Sequence, residues 1–182
     1  IVVDTDEHPR ATTIEKLGAL PTPFRDGGSV TAGNASGVND GACAMIIASA
    51  DAVARYGLTP KARIVAMATA GVAPRIMGIG PAPATERLLA LTGHSIDDVD
   101  LIELNEAFAA QVLGVVKRWG FEAMDRLNVN GSGISLGHTI GATGVRIAVT
   151  LLHEMQRRKV RRGLETMCVG GGQGIAAVFE AA

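Results

Sequence analysis

Cysteine, tryptophan and tyrosine are scarce in this 182-residue chain, with two, one and one of each, and neither sign of charge is in excess. Two cysteines cannot build a disulfide framework, and no Cys-x-x-Cys pair suggests a zinc site, so reduced thiols are expected. With 17 Lys and Arg against 18 Asp and Glu, the net charge is −1, which excludes the clustered positive charge that nucleic-acid binding requires. No run reaches the roughly 18 apolar residues of a membrane span. Residues 1–4 lack the basic and apolar regions of a secretory signal. These absences predict a soluble, non-exported, cytoplasmic chain with no resident metal. What is present is a hydrophobic fraction of 47% with 19% charged residues, enough for a real core and unlike disorder.

Punctuation by Gly and Pro divides the chain. Residues 1–37 carry Pro9, Pro21, Pro23 and small-residue runs, and read as loop or lid material. The apolar run 42–48 predicts a buried strand, with Cys43 as a small core residue, followed by a helix over 51–57 ending at a glycine. A strand follows over 62–70, a loop over 71–83, and a helix over 84–91 stopped by Gly93, with Ser95 capping a short turn. Residues 101–104 read as a strand leading to a helix over 107–119, apolar on nearly all sides and so expected to be buried. A glycine-rich stretch, 131–144, opens a long helix over 143–159. The basic cluster 157–162 at its end complements the helix dipole. Strands over 165–169 and 175–179, joined by a glycine-rich turn, read as a hairpin. Alternating strands and helices define an α/β class with a mixed sheet and helices on both faces.

Common templates fail. There is no phosphate-binding P-loop, and the glycines near 131 are out of register for a dinucleotide fingerprint. Residues 133–137 match Gly-x-Ser-x-Gly, but the acid and histidine of a hydrolase do not follow Ser135 in the required order. A distributed set is more informative. Asn105 lies at a strand-to-helix junction, His138 on a glycine loop before a helix, and Cys168 at a strand end before a loop rich in backbone N–H donors. An amide, an imidazole and a thiol at element tips suit acyl or thioester chemistry.

Together with residues 31–42 (Thr-Ala-Gly-Asn-Ala-Ser-Gly-Val-Asn-Asp-Gly-Ala), these motifs resemble the thiolase family over the full chain. The resemblance implies the C-terminal half of a layered, two-fold-repeated fold. Residues 1–37 would end its loop domain, 38–60 would be the last strand and helix of the N-terminal domain, and 61–182 the C-terminal domain. It further implies thiolysis of 3-oxoacyl-CoA, or Claisen condensation of acetyl-CoA, by two-step acyl transfer. Asn105 would hold a water that forms one oxyanion hole with His138, His138 would activate the nucleophilic cysteine, and Cys168 would be the acid/base. Gly170 would line the second oxyanion hole, while Ser36, Ala32, Phe24, Met77 and Phe108 would contact coenzyme A, a substrate rather than a bound cofactor. Loop 73–81 is similar to degradative members, including 3-oxoadipyl-CoA thiolases.

The family pattern is broken at Thr139, which stands where the family has Pro after the histidine; the His138 geometry is expected to survive the loss of a fixed φ. The resemblance also implies that the acyl-accepting cysteine belongs to an N-terminal half outside this chain, that the isolated chain is inactive, and that the partners are that half, acyl-CoA, and further copies in a homodimer or homotetramer. A different class of reading is a non-catalytic acyl-CoA-binding module, against which the intact Asn105, His138 and Cys168 weigh.

Overall fold

A computed structural model describes all 182 residues. Two short helices come first, α1 (Ile14–Gly18) and α2 (Ala50–Tyr56), each begun by a hydroxyl cap, Thr13 and Ser49. The glycine stop expected for the second is Gly57, at φ 59°. The remainder runs β1 (Ala62–Gly71), α3 (Pro81–Thr92), β2 (Leu101–Leu104), α4 (Ala109–Trp119), α5 (Thr143–Arg158), β3 (Arg162–Val169) and β4 (Gln173–Ala181). The strands form one sheet in the order β1-β4-β3-β2. Only β2 and β3 are parallel; β3–β4 and β1–β4 are antiparallel, so the sheet is mixed as the sequence predicts.

Alternation along the strands feeds two cores. Ile102, Leu104, Leu164, Ala176 and Val178 pack with α3 and α4 on one face. Leu101, Ala177 and Phe179 meet Ala148, Leu151 and Met155 of α5 on the other. Helix α5 covers mainly β2 and β3, leaving Met67 of β1 at 63% exposure on that face. The Gly170–Gly172 turn is pressed against the segment after β1. A Cβ on Gly172 would strike the Val72 carbonyl, and one on Gly174 would strike that of Gly80, so neither position has room for a side chain.

Three expectations are corrected. Residues 42–48 form no strand, and Cys43 is exposed, with Ile46 at 85% and Ile47 at 75% exposure. Apolar character alone cannot make a strand; backbone partners are needed, and neither sheet edge, β1 or β2, pairs with this segment. The predicted loop over 71–83 contains a 3₁₀ helix, Pro74–Ile79, and the first residues of α3. Pro74 and Pro81 sit in first turns, where a missing N–H costs nothing. Helix α4 is amphipathic rather than buried all round: Val115 is fully buried while Leu113 is 60% exposed, because only one side meets α3 and the 3₁₀ helix.

Candidate active site

The carboxyl ends of the parallel strands carry two of the expected groups, Asn105 just past β2 and Cys168 near the end of β3. The ladder extends one residue past β2, where the Asn105 N–H donates to the Thr166 carbonyl at 3.0 Å, two residues before Cys168. Asn105 is 1% exposed, and neither its Oδ1 nor its Nδ2 meets a protein partner. Buried amides are ordinarily paired, so this one keeps free hydrogen-bonding capacity. The Cys168 thiol, 9% exposed, is pushed above its ordinary value by burial, against a smaller opposing backbone hydrogen bond. It therefore rests as the neutral thiol, able to give a proton. Gly170 follows at the exposed start of the hairpin turn.

His138 reaches the same end of the sheet through α5. Its Nδ1 is 2.7 Å from the Thr143 hydroxyl in the first turn of α5, and the neighbouring Gly144 lies against Met167, next to Cys168. Burial lowers the His138 pKa, and the Arg146 charge lowers it further, so the ring is held as a neutral base. At the Thr139 departure, the methyl packs on Gly41 and the hydroxyl lies 3.4 Å from that of Thr143. Ile140 bears φ 51°, a conformation β-branched residues rarely take, so this loop holds backbone strain.

The segment after α1 docks beside Asn105. Ala35 bridges Phe108, the Ser36 N–H donates to the Ala107 carbonyl at 3.0 Å, and the Ala109 N–H donates to the Asn34 carbonyl at 2.9 Å. Ser36 and Phe108 are thus brought together, with Ala32 exposed on the same segment. Met77 lies in the 3₁₀ helix that packs on the ends of β3 and β4. Phe24 is 78% exposed in a turn and is not drawn into this group.

Four supporting residues were missed by the sequence reading. The Glu106 carboxylate accepts from Asn128 Nδ2 at 3.2 Å and from the Ile134 N–H at 3.1 Å, pinning the glycine-rich loop to the end of β2. Asn39 accepts the His138 N–H at 3.0 Å through Oδ1. His8 bonds the Ile134 carbonyl at 2.8 Å. Thr143 is the fourth. Glu106 adjoins Asn105, and Asn39 lies in the 31–42 motif, so adjacency to recognised residues was the available signal; nothing marked His8.

The fold is α/β, with an amide and a thiol near the carboxyl ends of its parallel strand pair and an imidazole on the loop that opens α5. Residues 58–181 match the profile described as "Thiolase, C-terminal domain", and residues 1–51 that described as "Thiolase, N-terminal domain". The chain belongs to the thiolase family. It is 57% identical over 180 residues to the 3-oxoadipyl-CoA/3-oxo-5,6-dehydrosuberyl-CoA thiolase of Escherichia coli K12, covering 98% of this chain and 45% of that protein. It is 52% identical over 182 residues to an acetyl-CoA acetyltransferase of Syntrophomonas wolfei, covering 100% of this chain and 46% of that one. The crystal structure of the Bacillus anthracis acetyl-CoA acetyltransferase superposes with a TM-score of 0.95 at 52% identity, over 100% of this chain and 46% of its own. Human mitochondrial 3-ketoacyl-CoA thiolase in complex with CoA gives 0.90 at 43% identity, over 99% and 46%. The chain spans about half the length of the curated relatives it matches.

Proposed function

We propose that this chain supplies the acid/base and oxyanion-binding half of an acyl-CoA C-acyltransferase that cleaves or forms 3-oxoacyl-CoA. The carrying observation is the buried, unpartnered Asn105 amide one residue past β2, whose backbone N–H bonds the Thr166 carbonyl two residues before the buried Cys168 thiol. In the thiolytic direction, a cysteine of the other half takes the acyl group while neutral His138 receives that cysteine's proton. Cys168 donates its proton to the departing carbanion at the substrate α-carbon; its thiolate then takes the proton of the incoming CoA thiol, CoA accepts the acyl group, and His138 returns its proton to the released cysteine. Developing negative charge on the thioester oxygen is met by a water on Asn105 together with His138, and the Gly170 N–H serves the second oxyanion hole. Coenzyme A is a substrate here, contacted by Ser36, Ala32, Phe24, Met77 and Phe108.

The same reading places 1–37 at the end of a loop domain, 38–60 at the end of one thiolase domain and 61–182 as the second. The profile matches over 1–51 and 58–181 support its division into two thiolase domains. Relatives named for 3-oxoadipyl-CoA and for acetyl-CoA match equally well, at 57% and 58% identity, so the proposal extends to 3-oxoacyl-CoA as a class. A reaction that needs a reduced Cys168 favours a cytosol-like compartment.

The test is a chimera carrying the first half of the Escherichia coli relative followed by this chain, assayed for thiolysis of acetoacetyl-CoA. Turnover that disappears in Cys168→Ala is expected. A chimera that binds CoA without turnover would mean an acyl-CoA-binding module instead.

A further inference from the structure

We propose that His8 and Asn39 are positioning residues that fix His138 relative to Asn105 through one directional relay of hydrogen bonds; their catalytic consequence rests on the function proposed for His138. A carbonyl only accepts, so the 2.8 Å contact between His8 Nε2 and the Ile134 oxygen places the ring proton on Nε2. Asn39 Nδ2, 3.2 Å from Nδ1, is a donor only, so Nδ1 is the acceptor of that contact. That contact fixes which way the Asn39 amide faces. Its Oδ1 is turned to accept the His138 N–H at 3.0 Å, while the Asn39 N–H donates to the His138 carbonyl at 3.2 Å. A single residue therefore holds both backbone polar groups of His138.

Room for the relay is built in. A Cβ on Gly37 would come within 2.8 Å of His8 Cε1, and one on Gly137, at φ 119°, within 2.9 Å of Asn39 Cγ. At its other end, Ile134 gives its N–H to Glu106, which directly follows Asn105. The path from Asn105's neighbour to His138 thus runs through Glu106, Ile134, His8 and Asn39, with each donor meeting an acceptor. It joins segments 126 and 99 residues apart in sequence, at His8–Ile134 and Asn39–His138. An oxyanion site assembled from two loops needs such a tie, because a displacement of about 1 Å can cost on the order of 100-fold in rate.

Two readouts test the relay. In this chain alone, Asn39→Ala and His8→Phe are expected to speed exchange of the His138 amide by about tenfold or more, leaving the β3 and β4 amides unchanged. His8→Gln, which keeps one donor and one acceptor, is expected to stay within about threefold of the parent. In the chimera, Asn39→Ala and His8→Phe are expected to lower kcat by about 10- to 100-fold with KM nearly constant, and His8→Gln is expected to restore most of the rate. Unchanged exchange and kcat in Asn39→Ala would overturn the proposal. So would His8→Gln falling as far as His8→Phe, since ring packing would then be the cause. If the parent chimera does not turn over, the functional reading fails while the exchange measurement still decides the relay.

Discussion

Thr143 sets how His138 presents itself. The Thr143 hydroxyl is 2.7 Å from Nδ1, which leaves Nε2 as the nitrogen open to a reacting proton. Thr143→Val keeps the buried shape and removes that partner; kcat in the chimera is expected to fall about tenfold with the unfolding midpoint little changed. Because burial and Arg146 hold the His138 pKa below 6.5, the ring stays neutral to lower pH than an ordinary histidine. The acid limb of kcat/KM is therefore expected below pH 6.5 in the parent chimera. Asn105, His138 and Cys168 were legible in the sequence because each sits inside a short run of distinctive residues. Thr143, Glu106, Asn39 and His8 were not legible as supports. For Asn39 and His8, the bonds that give them meaning close over about a hundred residues and have no local pattern.

At the scale of single elements, caps and punctuation carried the reading well. The glycine stops at Gly57 and Gly93, the short turn after Ser95 and the β3–β4 hairpin all form where residue chemistry placed them. Helix α5 ends differently, with Lys159 at φ 55°, a left-handed conformation that glycine accepts without a Cβ penalty. Lys159→Gly is expected to stabilise the chain by about 0.5–1 kcal/mol, measured by urea unfolding. The basic cluster at this end is more than a dipole complement. Arg157 and Arg158 both engage Glu154, which is 4% exposed, and Arg162 pairs with Glu180 at 3.0 Å. Hydrogen bonds from Arg157, then Asn130 and Arg158, overcome burial and hold Glu154 down at about 2. The run at 42–48 misled because strand formation belongs to a pair of segments, and one segment's hydrophobicity cannot report whether its partner is there.

Across the whole molecule, the parallel register of β2 and β3 puts Glu103 directly opposite Glu165, on the face covered by α5. Burial raises each carboxyl from 4.5 to about 8; for Glu103, Arg146 opposes this and the neighbouring glutamates add to it. Raised carboxyl values mean that the folded chain favours the protonated form. The associated stability is complete below pH 4.5 and is lost as pH rises through about 8. Glu165→Gln is expected to match the parent near pH 4 and to be more stable by roughly 1–2 kcal/mol near pH 9, read from urea midpoints at the two pH values. Neither glutamate stands out in the sequence, since each becomes unusual only when strand pairing buries it beside the other. Element types, the mixed α/β class and the family followed from local chemistry: turn residues, alternation and short motifs act over a few positions and can be read there. Strand order, the exposure of residues 42–48, the buried carboxyl pair and the relay to His138 followed only from folding. Each is a contact between distant segments, whose energy depends on what lies opposite rather than on what lies next in the chain.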